Sequence, residues 1–273
     1  MSRIEKKIRQ GVELIKYALK YQRLKAVIRL AGHAAQDVDE TLLDSLPIPP
    51  PHLVFLVGGN TGLSEHLRGG EMIAQGIRDV LTRNGLRIND FHVILDFGCG
   101  CGRIIRQWKS LVGVAIHGTD YNPEPINWCR RNLTFARFDI NRLTPPMIYR
   151  DEYFDFIYAF SVFTHLPEQA QFLWIRELFR VLKPGGYLLI TLHGEHYLKI
   201  LTPPEQDAFQ YGQLVVRYEN AIGTNLCAVF HPERYVREKL LGNFVLVDFV
   251  PSTVDQDYYL LKKPLNAERA TSL

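Results

Sequence analysis

Asp96-Phe-Gly-Cys-Gly-Cys-Gly102 sets one carboxylate and three alternate glycines within seven residues. Between a strand and a helix, such a stretch brings backbone N–H groups and a helix N-terminus to the carboxyl end of a sheet. Glycines there keep clear the space that a ligand's nucleoside must approach. The spacing separates two kinds of ligand. A dinucleotide fingerprint Gly-x-Gly-x-x-Gly would need its third glycine at 103, where this chain has Arg103. Asp96 stands two residues before the first glycine. A carboxylate in that place repels a pyrophosphate but accepts hydrogen bonds from a cationic amino acid group. The residues therefore point to a nucleoside bearing a charged amino acid.

Two further acids extend the pattern. Asp120 closes the next apolar run and can accept both hydroxyls of a ribose; its other reading is an aspartate at a helix start. In Phe138-Asp139-Ile140 an acid followed by an apolar residue can bond the edge and cover the face of an adenine, or serve as an ordinary loop aspartate. Cys99 and Cys101 lie in the glycine loop, and two cysteines are too few for a structural zinc.

These groups need a frame, and the chain supplies one by alternation. Residues 93–95 read as a buried strand, 103–110 as helix, and 114–119 as a second strand. Asn122 caps a helix with Pro123 at its first position. Strand 154–160, helix 167–182, a Lys183-Pro-Gly-Gly186 turn and strand 187–192 follow. Strands and helices in this rhythm imply an α/β fold with a mostly parallel sheet covered on both faces. After an irregular stretch and a helix over 232–241, strands 244–250 and 258–262 are joined by a short turn and pair antiparallel. Upstream, residues 3–31 lack proline, and Ile4, Ile8, Val12, Ile15 and Leu19 recur at helical spacing among lysines and arginines. Leu46-Pro-Ile-Pro-Pro-Pro51 breaks that helix. The stretch Val57-Gly-Gly-Asn-Thr-Gly62 reads as a turn, Ser64 as a cap, and the helix then runs to Gly85. Three parts result: a basic helix with linker (1–50), a helical lid (51–90) and the α/β domain (91–273).

Composition sets bounds. The chain has 273 residues, 47% hydrophobic and 22% charged, as ordinary globular proteins do. Cys99, Cys101, Cys129 and Cys227 read as reduced thiols. With no signal-peptide pattern and no apolar run of membrane-spanning length, a cytoplasmic location is expected. The net charge of +3 hides an asymmetry: residues 1–30 hold nine Lys/Arg against Glu5 and Glu13. The whole-chain charge is too small to suggest nucleic acid. The basic segment admits peripheral contact with an anionic membrane, or packing as a cap or homodimer helix.

Val93-Ile-Leu-Asp-Phe-Gly-Cys-Gly-Cys-Gly-Arg103, Gly118-Thr-Asp-Tyr-Asn122, Phe154-Asp-Phe-Ile-Tyr-Ala-Phe-Ser161 and Leu182-Lys-Pro-Gly-Gly-Tyr187 resemble the successive motifs of class I S-adenosylmethionine-dependent methyltransferases. The resemblance spans about residues 91–195. It implies a Rossmann-like sheet of seven strands with a reversed terminal hairpin, and S-adenosylmethionine as cofactor. Carried over by position, Asp96 and the loop of Gly98, Cys99, Gly100 and Gly102 would hold the methionine part. Asp120 would hold the ribose, with Tyr121 against the adenine. Asp139 and Ile140 would bind the adenine edge and face, and Phe160 with Ser161 would line the sulfonium end. The segment before residue 53, His231-Pro-Glu-Arg-Tyr235 and Gln256-Asp257 are similar to bacterial members acting on sugars or small metabolites.

Methyl transfer from a sulfonium asks for proximity and a dry approach, and an oxygen acceptor also asks for a base. His193, His165 and His231 are the candidates; His193 stands where the sheet presents its carboxyl ends. After the fourth strand the chain reads Ala159-Phe-Ser-Val-Phe-Thr-His165, without the Asn/Asp-Pro-Pro-Tyr of base-amine enzymes, the paired glutamates of protein-arginine enzymes, or a metal-holding carboxylate. The expectation is metal-free O-methylation of a small molecule, sugar or glycolipid. Residues 53–85 would cover the donor, and 194–229, with Tyr197, Phe209, Tyr211 and Tyr218, would shape the acceptor site. A non-catalytic binding module on the same fold, recruited to a membrane or a partner protein, is the alternative.

Overall fold

The computed structural model describes residues 3–31, 44–59 and 61–265; Asn60 and the side chains of Ile4 and Ile8 lie outside the described residues. Three helices come first: α1 (Arg3–Ala31), α2 (Pro51–Gly58) and α3 (Leu63–Arg83). Then follow β1 (Val93–Phe97), β2 (Ala115–Asp120), α4 (Pro123–Asn132), β3 (Arg137–Ile140), β4 (Phe154–Ala159), α5 (Glu168–Val181) and β5 (Leu182–Leu192). The last third holds α6 (Pro203–Gln210), β6 (Val215–Arg217), β7 (Ala228–Phe230), α7 (Glu233–Tyr235, continued by a π turn over Val236–Leu240), β8 (Val245–Val250) and β9 (Asp257–Lys262).

Seven strands make one sheet in the order β3-β2-β1-β4-β5-β9-β8, and β6 with β7 makes a small separate pair. The first five strands are parallel; β9 runs against β5 and β8 against β9. Alternation along each strand divides the core between the two faces. Ile94, Phe156, Tyr158 and Leu189 join Ile73, Ile77 and Leu81 of α3 and Ile126 of α4. Leu95, Phe97, Ile157, Ala159, Leu188 and Ile190 join Trp174 and Leu178 of α5 and Val236 of the π turn. Asp96 therefore emerges on the α3–α4 face.

Three local outcomes depart from the expected elements. Leu182 pairs with Phe154 and Tyr187 with Phe156, so residues 183–186 bulge from a strand that starts before the expected turn. The proline run expected only to break a helix also starts one at Pro51, because a proline at the first helical position gives up an N–H that has no partner there anyway. α3 passes unbroken through Gly69-Gly70, capped at Gly62 rather than Ser64. A Cβ on Gly70 would lie 2.2 Å from the Arg103 carbonyl oxygen, so the glycine lets the helix meet the loop after β1.

Arg106 ties the linker to this core. Its guanidinium donates to both carboxylate oxygens of Asp44, at 2.8 and 2.6 Å. α1 is held by the side opposite its apolar stripe. Tyr21 and Lys25 donate to Glu124 at the start of α4, and Tyr17 packs on Phe55, ring centroids 5.6 Å apart. Val12, Ile15 and Leu19 point outward.

Candidate functional site

The loop after β1 is folded by its glycines. Gly98, Gly100 and Gly102 have φ of 81°, 54° and 77°, which side chains rarely adopt. A Cβ on Gly98 would lie 2.4 Å from a Val162 methyl, and one on Gly100 2.6 Å from a Val57 methyl. Gly102 faces Leu133 and Cys129 instead. The N–H groups of Gly98 and Cys99 donate to the Thr119 carbonyl at 2.8 and 2.9 Å, and that of Gly100 donates to Asp120 Oδ2 at 3.0 Å. The loop's own donors are thus engaged within the protein. What it offers a ligand is room.

Beside that room lies Asp96, 2% exposed. Tyr158 donates a hydrogen bond to its carboxyl and accepts one from Trp108 Nε1 at 2.9 Å. The other carboxyl oxygen, Oδ2, has no partner. Burial drives its pKa up to about 8, against the pull of Tyr158 and of nearby Arg103. Arg103 lines the same cleft and lies over the Phe160 ring, 5.9 Å from its centroid. Burial lowers the guanidinium's pKa while Asp96 and Asp255 oppose the shift. Sequence reasoning passed over Arg103 as merely the absent third glycine.

The cleft spans about 1170 Å³, the open solvent at its mouth included. Asp120 stands in its wall with both oxygens oriented by backbone: Oδ1 accepts from Asn122 N at 2.8 Å and Oδ2 from Gly100. A carboxylate has about four lone-pair sites, so capacity for a diol remains. Tyr121, Asn122, Asn141, Arg142 and Leu143 continue the wall. Asp139 and Ile140 are set differently. The Asp139 carboxylate accepts from Tyr149 OH at 2.9 Å and faces Arg130 at 3.7 Å, and Ile140 is 40% exposed outside the cleft. The next three residues line it in their place. Tyr17 of α1, Leu56 and Val57 of α2, and residues 223–225 complete the enclosure. Asn225 Nδ2 donates to the Leu56 carbonyl at 3.1 Å and joins two of those covers.

Phe160 and Ser161 turn into the cleft through a strained step: Ser161 has φ 58°. Such a residue costs about 1–3 kcal/mol and persists where its surroundings hold it. Here Ser161 N donates to Thr191 Oγ1 at 2.9 Å, and Gln256 Nε2 donates to Ser161 Oγ at 2.9 Å. Thr191 in turn donates to Gln256 Oε1 at 2.7 Å. His165 follows in the cleft wall. Its Nδ1 donates to the Cys227 carbonyl at 2.6 Å, the tautomer that leaves Nε2 with a lone pair. Burial lowers its pKa. His193 lies outside the cleft lining, packed on Tyr197 with centroids 4.2 Å apart and bonded to the Val229 carbonyl. His231 is fully buried against Gln171. Of the four aromatics expected at an acceptor site, Tyr197 packs on His193, Phe209 is buried beside Phe230, and Tyr211 is exposed. Tyr218 packs with Val229 and Cys227.

Residues 95–190 match a protein family described as a methyltransferase domain. The stretch runs from the strand that carries Asp96 to the strand beyond Thr164. Residues 95–190 are a class I methyltransferase domain. The chain is 28% identical over 147 residues to phosphoethanolamine N-methyltransferase 2 of Caenorhabditis elegans, covering 50% of this chain and 33% of that protein. It is 33% identical over 98 residues to a sterol 24-C-methyltransferase of Schizosaccharomyces pombe, covering 34% and 25%. The chain thus spans about a third or less of these two relatives' length. Among solved structures, an O-methyltransferase family protein from Burkholderia thailandensis superposes with a TM-score of 0.51 at 14% identity, covering 74% of this chain and 58% of that one. A [4+2]-cyclase superposes with 0.50 at 15% identity, covering 73% and 82%, so the fold alone names no reaction.

The cofactor of the class I methyltransferase family is S-adenosylmethionine, and the cleft fits it. The partnerless oxygen of Asp96 and the cation of Arg103 complement an ammonium and a carboxylate on one amino acid. Asp120 suits a ribose diol, and the glycine cradle admits no side chain.

Proposed function

We propose that the protein methylates an oxygen of a small-molecule, sugar or lipid-linked acceptor. The observation that carries this reading is the shared cleft of Asp96, Arg103, Asp120 and His165. When bound, the cofactor supplies a methyl group already activated by its sulfonium. Asp96 would accept from the ammonium, Arg103 would hold the carboxylate, and Asp120 would accept the ribose hydroxyls. Phe160 and Ser161 border the position where a sulfonium would sit. His165 Nε2 would take the acceptor's hydroxyl proton as the C–O bond forms and the methyl–sulfur bond breaks to leave a neutral thioether, and the Cys227 carbonyl would steady the imidazolium through Nδ1. This prefers His165 over His193 because only His165 lies in the cleft wall. Relatives named for a sterol and for a 2-methyl-6-phytyl-1,4-hydroquinone make an apolar acceptor the reading to test first.

Calorimetry with S-adenosylhomocysteine should show binding by the wild type and at least a tenfold loss in Asp96→Asn, about the worth of one charged hydrogen bond. Absence of binding by the wild type would end the proposal. With methyl-tritiated donor and an accepted substrate, His165→Gln should lower kcat by about 10²–10⁴ while cofactor affinity holds. His193→Gln should leave turnover within a few fold. The reverse order would move the base to His193.

A further inference from the structure

The outward side of α1 is the wrong way round for a helix that packs on a core. An amphipathic surface helix turns its aliphatic stripe inward and its charges to water. Here Val12, Ile15, Leu19 and Val27 are 43%, 60%, 63% and 52% exposed. At about 100° per residue, Lys16 and Arg23 fall on the same side as Val12 and Leu19, while Lys20 at the edge turns its ammonium over the Phe55 ring, 5.2 Å from the centroid. The opposite side, with Tyr17, Tyr21 and Lys25, meets Phe55 and Glu124. The aliphatic face is therefore left over after the helix has been anchored.

Its chemistry selects a partner. Long lysine and arginine stems run along apolar surface and lift their charges to a polar layer, as at a lipid headgroup. The first thirty residues hold nine cations against two acids, a balance suited to an anionic surface. A second copy of the face would set the same cations against one another. A protein hot spot would be rich in Trp, Tyr and Arg, whereas the described outward positions carry Val, Ile, Leu, Ala, Gln and Lys with one Arg.

We propose that α1 lies on an anionic bilayer surface, with Val12, Ile15 and Leu19 at the acyl boundary and Lys16 and Arg23 among the lipid phosphates. Tyr17 lines the cleft from the other side of the same helix, so docking would hold the cleft about one helix diameter, roughly 10 Å, from the headgroups. Among the described residues no helix is long and apolar enough to cross a membrane. The contact is peripheral and rests on the helix alone, whatever the reaction in the cleft.

Flotation of the full chain, without cofactor, on phosphatidylcholine vesicles with and without phosphatidylglycerol tests this. The wild type should rise with the phosphatidylglycerol vesicles and stay down with phosphatidylcholine alone. Ile15→Ser/Leu19→Ser and Lys16→Gln/Arg23→Gln should each lower partitioning about tenfold. S-adenosylhomocysteine binding measured without vesicles should stay at the wild-type value in both, which separates lost docking from lost folding or a failed cofactor reading. Wild type that stays down with phosphatidylglycerol vesicles overturns the proposal, as do double variants that float like wild type. A stable dimer that Ile15→Ser/Leu19→Ser converts to monomer, without flotation of either, would assign the face to a second copy.

Discussion

At the residue scale, burial keeps the Asp96 carboxyl protonated to about pH 8. Unfolded, the same group ionises near 4. Between those values the folded protein retains a proton that the unfolded chain has released, so stability falls as pH rises. The contribution is whole below about pH 4 and gone by the time pH passes 8. Thermal melts of cofactor-free protein across that window should show this slope, and Asp96→Asn should flatten it. A cationic amino group beside the carboxyl favours the ionised form, so ligand binding below pH 8 should expel a proton. Affinity for S-adenosylhomocysteine should then climb with pH, by up to about tenfold per unit, and level off near 8. Titration calorimetry in phosphate and in Tris, whose ionisation heats differ, reads that proton directly; equal heats in both buffers would refute it.

The glycine loop, Asp96 and Asp120 were legible because each is local: a motif between a strand and a helix, then an acid at the end of the next strand. Arg103 and the cover residues were not. Arg103 gains its meaning from Phe160 below it and Asp96 beside it, both distant or separated by the turn of the loop. The ranking of His165 and His193 depended on residues 212–230 folding back to present the Cys227 and Val229 carbonyls, and no spacing in the chain announces that. Asp139 has a partner, Tyr149, ten residues on, and only the folded chain brings the two together.

At the element scale, the mostly parallel sheet and the antiparallel hairpin followed from alternation and a short turn, while the order of the strands and the helices ahead of the sheet did not. The apolar stripe of α1 left contact with a membrane and packing as a cap or dimer helix both open. What anchors the helix is Tyr21 and Lys25, which donate to Glu124, and the rings of Tyr17 and Tyr21, which meet Phe55 and His52. Farther along, Asp44 is the joint between this cover and the core. Arg106 is 2% exposed, and Asp44 supplies its counter-charge through two hydrogen bonds. Removing one partner of such a pair strands a buried charge, at a cost of about 3–5 kcal/mol. Asp44→Ala should lower the free energy of unfolding by that much, whereas Asp90→Ala, at an exposed pair with Arg87, should leave it nearly unchanged. Urea melts compare the two, and similar losses would mean that Asp44 is no joint.

At the scale of the whole molecule, one helix faces both the cleft and the solvent. Tyr17 on its inner side closes the cofactor's space, and the Glu124 clamp sits at the N-terminus of α4, two residues past Asn122 in the cleft wall. If the outer side rests on lipid, the helix loses freedom to lift away, and whatever it covers should leave more slowly. Binding equilibria are reciprocal, so a bilayer that steadies α1 must raise cofactor affinity by the same factor by which the cofactor raises bilayer affinity. The coupling of two sites through one element is typically 5–150-fold. Anionic vesicles should therefore tighten S-adenosylhomocysteine binding at least fivefold, mainly by slowing dissociation, with neutral vesicles leaving it unchanged. Glu124→Gln cuts the tie between α1 and α4. It should abolish that gain while the helix still binds vesicles, because the outer face is untouched. Stopped-flow release of the ligand with and without phosphatidylglycerol vesicles measures it, and an unchanged off-rate in the wild type would show that lid and membrane face act independently.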